Sequence, residues 1–312
     1  MSNEIDKTFF KQLKSFAQAL DWCEANHQPL SALAMAYEMH RRGVDEAAIL
    51  AQTQTLIDQM RATVRAGSAD ASPTLSGLTG QLASKMMAAA SAPCRLMSPT
   101  MLKMMAYALA TLEENSRMHR IVACPTAGAS GVVPGVLLAL SESPDVALSD
   151  AQMQRGLLTA GLVGELVSRR MFLSGAAGGC QAEVGVATGM AAAAIVEVLG
   201  GTPRQVMDAT AMAFKNLMGL VCDPVAGLVE VPCTKRNAVG VVHASAAATM
   251  ALAGIESFVP LDEVVDAMVK VGQMMSPKLK ESAEGGLAMT PTGQAFTQQL
   301  KAKGNVHSPE SE

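Results

Sequence analysis

The segment Val186–Leu199 reads VATGMAAAAIVEVL, an apolar run interrupted only by Thr188 and Glu197. It falls short of the roughly 20 strongly apolar residues that a membrane span needs, and it carries a carboxylate. It therefore reads as a helix buried in a packed protein interior. A second run, AVGVVHASAAATMALAG over Ala238–Gly254, repeats the pattern, with weak alanine apolarity and His243 inside it. Alanine and glycine let helix backbones approach closely, and methionine fills irregular gaps where aromatics are scarce. The chain has 22 Met and 26 Gly but only one Trp, two Tyr and seven Phe. The expected fold is all-α, a compact multi-helix domain of Ala/Gly/Met-rich buried helices.

The pattern stays helical on either side. Ile5, Phe9, Leu13, Phe16 and Leu20 recur at helical spacing, predicting one amphipathic helix that ends before Pro29. A second is expected from Ser31 to Arg42, stopped by Gly43. Asp45 is expected to cap a third that carries Ile49, Leu56, Met60 and Val64. Pro99 opens a helix through Ser116, Asp150 caps one reaching Arg170, and Thr202-Pro203 makes a cap and first-turn pair for a helix ending near Gly219. Further helices start near Thr234 and Leu261. No β-branched alternation is sustained enough for a sheet, and there is no internal repeat. The small, polar stretch Ala66–Pro73 reads as a linker. The expected organisation is an N-terminal helical unit (1–65), a linker (66–74), a main domain (75–295) and a polar tail (296–312).

Composition excludes several functions. With 312 residues the chain can bury a substantial core. A net charge of -4 and a pI near 5.8, with scattered Lys and Arg and few aromatics for base stacking, argue against a nucleic-acid footprint. The start, MSNEIDKTFFKQ, has no basic region followed by an apolar one, so no secretory signal is expected and the protein reads as cytoplasmic, without a membrane. In a reducing compartment six cysteines are not expected to form a disulfide framework, which makes metal ligation the reading to test.

Three of these cysteines lie in bendable places: Cys180 in GAAGGCQAEVG, Cys222 in GLVCDPVAG and Cys233 in VEVPCTKRNA. Structural zinc prefers closely paired ligands, and separations of 42 and 11 residues match that poorly. An iron–sulfur cluster accepts thiolates from distant loops. Three ligands on a four-iron cube would leave one iron open as a Lewis acid. The residues alone leave two readings open, a metal centre or buried structural cysteines.

Three longer motifs extend this: Ala123–Gly131 (ACPTAGASG), Gly175–Gly185 (GAAGGCQAEVG) and Val221–Asn237 (VCDPVAGLVEVPCTKRN). With Gly285–Ala288 and Thr290–Gly293 they closely resemble the α chain or α domain of the iron–sulfur L-serine dehydratases, over most of residues 75–295. The resemblance implies that Cys180, Cys222 and Cys233 hold a [4Fe-4S] cluster and that the reaction converts L-serine to pyruvate and ammonia without pyridoxal phosphate. The open iron would take the substrate hydroxyl and a carboxylate oxygen while a base removes the α-proton, and the resulting aminoacrylate would hydrolyse.

Around these cysteines, the glycine run before Cys180 frees backbone N–H groups for sulfide or carboxylate, or else permits tight helix packing. The Pro125–Gly131 loop offers Thr126, Gly128, Ser130 and Gly131 to an anionic substrate. Lys235, Arg236 and Asn237 follow Cys233, where cations at a helix start oppose the dipole and ask for an anionic partner; the plainer reading is a solvated helix start. Asp223 and Glu183 read as capping groups. The base is unassigned: His243, on an apolar helix, reads more readily as a core histidine than as a base, and Lys235 is the other weak candidate. Cys23, Cys94 and Cys124 read as structural.

No region here resembles the family's β domain with its Ser-Ser-His type motif, which fits the two-chain type. The resemblance therefore implies a separate β chain in a hetero-oligomer, and the base can lie on that chain. The tail GNVHSPESE lacks the C-terminal cysteine that caps the fourth iron in single-chain relatives. Two other readings stand beside serine dehydration: cysteine desulfidation within the wider family, and a non-catalytic helical scaffold subunit.

Overall fold

The computed structural model describes residues 7–93 and 96–303, and among these it contains helices and turns but no strand. The fold is all-α, as the sequence predicts. Residues Ile5, Cys94 and the GNVHSPESE tail lie outside the described residues.

The expected first helix is two. Helix α1 spans Lys7–Gln12 and α2 spans Phe16–Asn26. Between them Ser15 is extended, and its hydroxyl accepts from the Gln18 N–H while the Gln18 side chain accepts from the Ser15 N–H. This capping box gives local hydrogen bonds that a continuous helix would forgo. Leu13 and Phe16 remain buried, so the apolar face survives the break. Helix α3 (Leu30–Arg42) ends on Gly43 in the left-handed region, and α4 (Glu46–Ala69) starts on Asp45, whose carboxylate accepts from the Ala48 N–H. Ile49, Met60 and Val64 are buried as expected, whereas Leu56 is exposed. Helix α4 reaches Ala69, so residues 66–69 of the expected linker are its last turn. A Cβ on Gly67 would lie 2.5 Å from the Ala110 carbonyl oxygen, and its absence lets α4 press onto the next long helix.

Helix α5 (Leu82–Ser91) was not legible in the sequence; α6 (Pro99–Ser116) has the expected bounds. Helix α7 covers Val132–Ser141 and α8 covers Asp150–Ser168. The cap of α8 is Ser149, in a second capping box with Gln152, and not Asp150, which pairs with Arg61. Then come α9 (Gly175–Gly178), a π-helical turn (Gln181–Gly185), α10 (Val186–Val198) and α11 (Pro203–Leu217), the last capped by Thr202 with Pro203 in its first turn. Helices α12 (Cys233–Leu252), α13 (Leu261–Met274) and α14 (Pro291–Ala302) complete the chain.

Helix α10 is the axis, packed against α7, α8, α11 and α12, with every residue buried. The stretch Gln181–Val198 is long and apolar enough by composition to cross a membrane, and it is wholly enclosed by protein. Its Glu197 accepts a hydrogen bond of 2.6 Å from the buried Ser31 hydroxyl of α3. One continuous buried cluster runs from Phe10, Leu33 and Ile57 through Val163 and Ala192 to Met268, so the helices before residue 66 share a core with those after it.

Candidate metal centre

Cys180, Cys222 and Cys233 sit on three elements that meet at one end of α10. The glycine run does steric work before Cys180. Ser174 caps α9, and Gly179 turns the chain at φ +77, where a Cβ would lie 2.6 Å from Met275 Sδ and 2.8 Å from the Leu220 carbonyl oxygen. Cys180 then leads into the π-helical turn, a distortion that recurs at functional sites. Gln181 clamps this turn. Its N–H donates to the Leu220 carbonyl at 3.0 Å, its Nε2 donates to the Met268 carbonyl at 2.9 Å, and its Oε1 accepts from the Gly219 N–H at 2.9 Å. Cys222 is pinned on both sides, donating to the Leu279 carbonyl and accepting from the Glu281 N–H, each at 2.8 Å. Cys233 is the first residue of α12. All three thiols are buried.

The tightest group is Cys180, Cys222 and Glu183, whose ligand atoms all lie within 4.8 Å of one another. Cys222 Sγ is 3.9 Å from Glu183 Oε2, and the Thr126 hydroxyl donates to Glu183 Oε1 at 2.7 Å. Gly175 makes room: a Cβ there would lie 2.6 Å from Cys222 Sγ and 2.7 Å from Glu183 Oε2. Arg236 closes the other side, donating from one nitrogen to Cys180 Sγ at 3.4 Å and to the Val221 carbonyl at 2.8 Å, and from another to Asp223 at 2.9 Å. The second oxygen of Asp223 accepts from the Leu287 N–H, which ties the Gly285–Ala288 motif to the centre.

The electrostatics follow from these contacts. The Cys222 thiol donating to Cys180, and then the Arg236 charge, hold Cys180 below the ordinary thiol range; Cys222, the donor, is pushed up correspondingly. Burial pushes Cys233 up to about 12, and the Cys180 charge adds to this, although Cys233 lies outside the tight group. Burial also raises the Glu183 carboxyl, against the hydrogen bond from Thr126. Burial works against the Arg236 charge, but Cys180 and Asp223 outweigh it and leave the guanidinium more firmly protonated.

The residues expected to hold substrate divide. Thr126 and Gly128 face Glu183. The Ser130 hydroxyl is turned back onto the Ala127 carbonyl, and the missing Cβ of Gly131 lets the loop pack against Ala108 and Leu112 of α6. Asn237 is fully buried and fastens the loop to α12: its Oδ1 accepts from the Gly131 N–H, and its Nδ2 donates to the Gly128 and Cys233 carbonyls. Arg236 reaches the Cys180 thiol. Lys235 is exposed and points elsewhere, lining an apolar cleft with Leu82, Met86, Met105 and Val239. His243 lies ten residues beyond Cys233 on the same helix, about 15 Å along its axis. Cys124 is buried in the loop before Thr126 and Cys23 in the core, each thiol pushed up to about 12 by burial.

Two carboxylates carry more than the sequence reading gave them. Glu183 is the hub just described. Glu230, buried one helical turn before Thr234, accepts 2.6 Å hydrogen bonds from the hydroxyls of Thr74, Ser76 and Thr79, and so anchors the 74–80 loop beside the Cys233 turn. The available signal was an acid set in an apolar run, AEVG and LVEVP.

A set of three buried thiols from separate elements, with a guanidinium donating to one sulfur, fits an iron–sulfur cluster, which takes thiolates from distant loops and is tuned by hydrogen bonds to sulfur. A sequence model of the family described as serine dehydratase alpha chain matches residues 25–288, beginning within α2. The chain is 48% identical to a probable L-serine dehydratase alpha chain of Bacillus subtilis, over 87% of this chain and 89% of that one. It is 38% identical to an L-serine dehydratase alpha chain of Peptoniphilus asaccharolyticus, over 94% of this chain and the whole of the relative. An L-serine dehydratase of Escherichia coli is 44% identical over 59% of this chain, which covers 40% of that longer protein.

Proposed function

The chain belongs to the serine dehydratase alpha chain family, and on that premise we propose that it is the α subunit of a cytoplasmic, iron–sulfur-dependent L-serine dehydratase, a lyase that converts L-serine to pyruvate and ammonia. The observation that carries this reading is the buried Cys180–Cys222 pair with the Arg236 guanidinium on its sulfur. In the proposal Cys180, Cys222 and Cys233 hold a [4Fe-4S] cluster, which supplies a Lewis acid for the departing hydroxyl.

The rest is the work of the chain's own groups. Arg236 offsets the negative charge of the thiolates. Glu183 orients Thr126 and with it the substrate loop, whose Gly128 leaves space in front of the carboxylate. Asn237 keeps Gly128 and Gly131 at a fixed distance from Cys233. The catalytic part is residues 75–295, buttressed by the helices before residue 66. Lys235 lines the apolar cleft and His243 sits about 15 Å along α12 from Cys233, which favours a base supplied by a separate β chain. A β chain is also what the alpha-chain names of the relatives suggest, and the assembly is then a hetero-oligomer.

The test is anaerobic purification and cluster reconstitution, then assays of pyruvate from L-serine and of hydrosulfide from L-cysteine, with and without a coexpressed β chain. The expected result is a brown protein with about four iron per chain that forms pyruvate from serine when the β chain is present. Hydrosulfide as the preferred product would make it a cysteine desulfidase, and a folded, colourless, iron-free complex would make it a scaffold.

A further inference from the structure

Cys180, Cys222 and Glu183 are spaced for one metal ion. Bonds of about 2.3 Å to sulfur and 2.0–2.2 Å to a carboxylate oxygen keep the ligand atoms of a zinc-type ion within about 4.6 Å of each other, and near 3.8 Å at a tetrahedral angle. Cys222 Sγ to Glu183 Oε2, at 3.9 Å, already matches a tetrahedral pair, and the other two pairs, no more than 4.8 Å apart, need close by at most about 1 Å to reach it. A four-iron cube carries its thiolates on separate irons and so holds them further apart than a single ion does.

The surroundings also suit an ion. All three ligands are buried. Glu183 is oriented through its other oxygen by Thr126, the kind of outer hydrogen bond that fixes a metal ligand. Gly175 leaves a cradle between Cys222 Sγ and Glu183 Oε2 that a single methyl group would fill. Arg236 sits against Cys180 and offsets part of the charge of two thiolates and a carboxylate. Cys233, the third cysteine, is outside the group.

We propose that the cluster-free chain binds one zinc-type divalent cation through Cys180, Cys222 and Glu183, with water as the fourth ligand and Cys233 unused. The thiol protons leave to solvent as the ion binds. Because this ion takes two of the thiolates assigned to the cluster, an ion-loaded chain cannot assemble the cluster until the ion is removed. The inference does not rest on the cluster reading; the two share Cys180 and Cys222 and differ at Glu183 and Cys233.

The test uses the full chain, purified in air and washed with chelator, then titrated with Co²⁺ as a spectroscopic probe and competed with Zn²⁺. The expected result is one cobalt per chain with tetrahedral visible bands and a thiolate charge-transfer band. Cys233→Ser leaves these unchanged, whereas Cys180→Ser, Cys222→Ser and Glu183→Gln each weaken binding about tenfold or more. Circular dichroism confirms that each variant is folded. Loss of cobalt in Cys233→Ser, no effect of Glu183→Gln, or no binding by the wild type overturns the inference. Anaerobic reconstitution separates the two readings: a chain that takes the cluster but not cobalt defeats only this inference, and one that takes cobalt but not the cluster defeats only the cluster reading.

Discussion

At Gly175 one methyl group is enough to disturb the centre. A Cβ there would press on both Cys222 Sγ and Glu183 Oε2, so Gly175→Ala is expected to cost about 1–3 kcal/mol by overpacking and to lower metal uptake, read by thermal unfolding and by bound iron or cobalt. Asn237 is the polar counterpart. Asn237→Asp keeps the acceptor for the Gly131 N–H but removes the donor to the Gly128 and Cys233 carbonyls. Leaving the buried Gly128 carbonyl without its donor costs about 1–3 kcal/mol, measurable as a lower urea midpoint. Cysteines in glycine- and proline-bearing turns were legible as candidate ligands because residue type and local backbone sufficed. Glu183 was not. Its role depends on Thr126, Gly175 and Cys222, which the chain brings to it from up to 57 positions away.

Helix ends were legible wherever the cap is local. Gly43, Asp45, Pro99 and Thr202-Pro203 all mark boundaries where the sequence placed them. The start of α8 was placed one residue late. Ser149→Ala is expected to cost about 0.5–2 kcal/mol through loss of the cap. Asp150→Ala, which removes a surface ion pair with Arg61, should cost no more than about 1 kcal/mol. Paired denaturation curves distinguish the two. Helix α5 escaped the sequence reading for a physical reason: its cap position, Gln81, offers no side-chain bond, and its first N–H groups are satisfied by Glu113 of α6, some 30 positions on. The contact between α10 and α11 is equally non-local, since the missing Cβ of Gly189 lies against the buried ring of Phe214. Gly189→Ala should destabilise by about 1–3 kcal/mol or more, seen as a lower melting temperature.

At the scale of the whole molecule, several carboxyls are enclosed by one core. Burial raises the Glu113, Glu183 and Glu197 carboxyls above their ordinary values. A raised acid holds its proton more tightly in the folded chain, so its contribution to stability is complete below the unfolded pKa and is lost as pH rises through the folded one. Glu197→Gln keeps an acceptor for Ser31 and removes that slope. Its denaturation midpoint should exceed that of the wild type at neutral pH, with the gap closing towards pH 4, checked by urea curves across the range. The shared core also bears on the expected unit boundary. Phe16, Leu33 and Ile57 lie in the same cluster as Val163 and Met268, so residues 75–303 alone should bind hydrophobic dye and lack a cooperative melt. By itself the sequence determined the helical class, most helix ends and the three candidate thiols, because periodicity, capping and residue type act over a few neighbouring positions. Only the tertiary structure decided that Glu183 joins Cys180 and Cys222, that Asn237 is a fastening, and that Lys235 lines a separate apolar cleft. Those depend on which helix faces meet, and close packing around α10 sets that over separations that local chemistry does not reach.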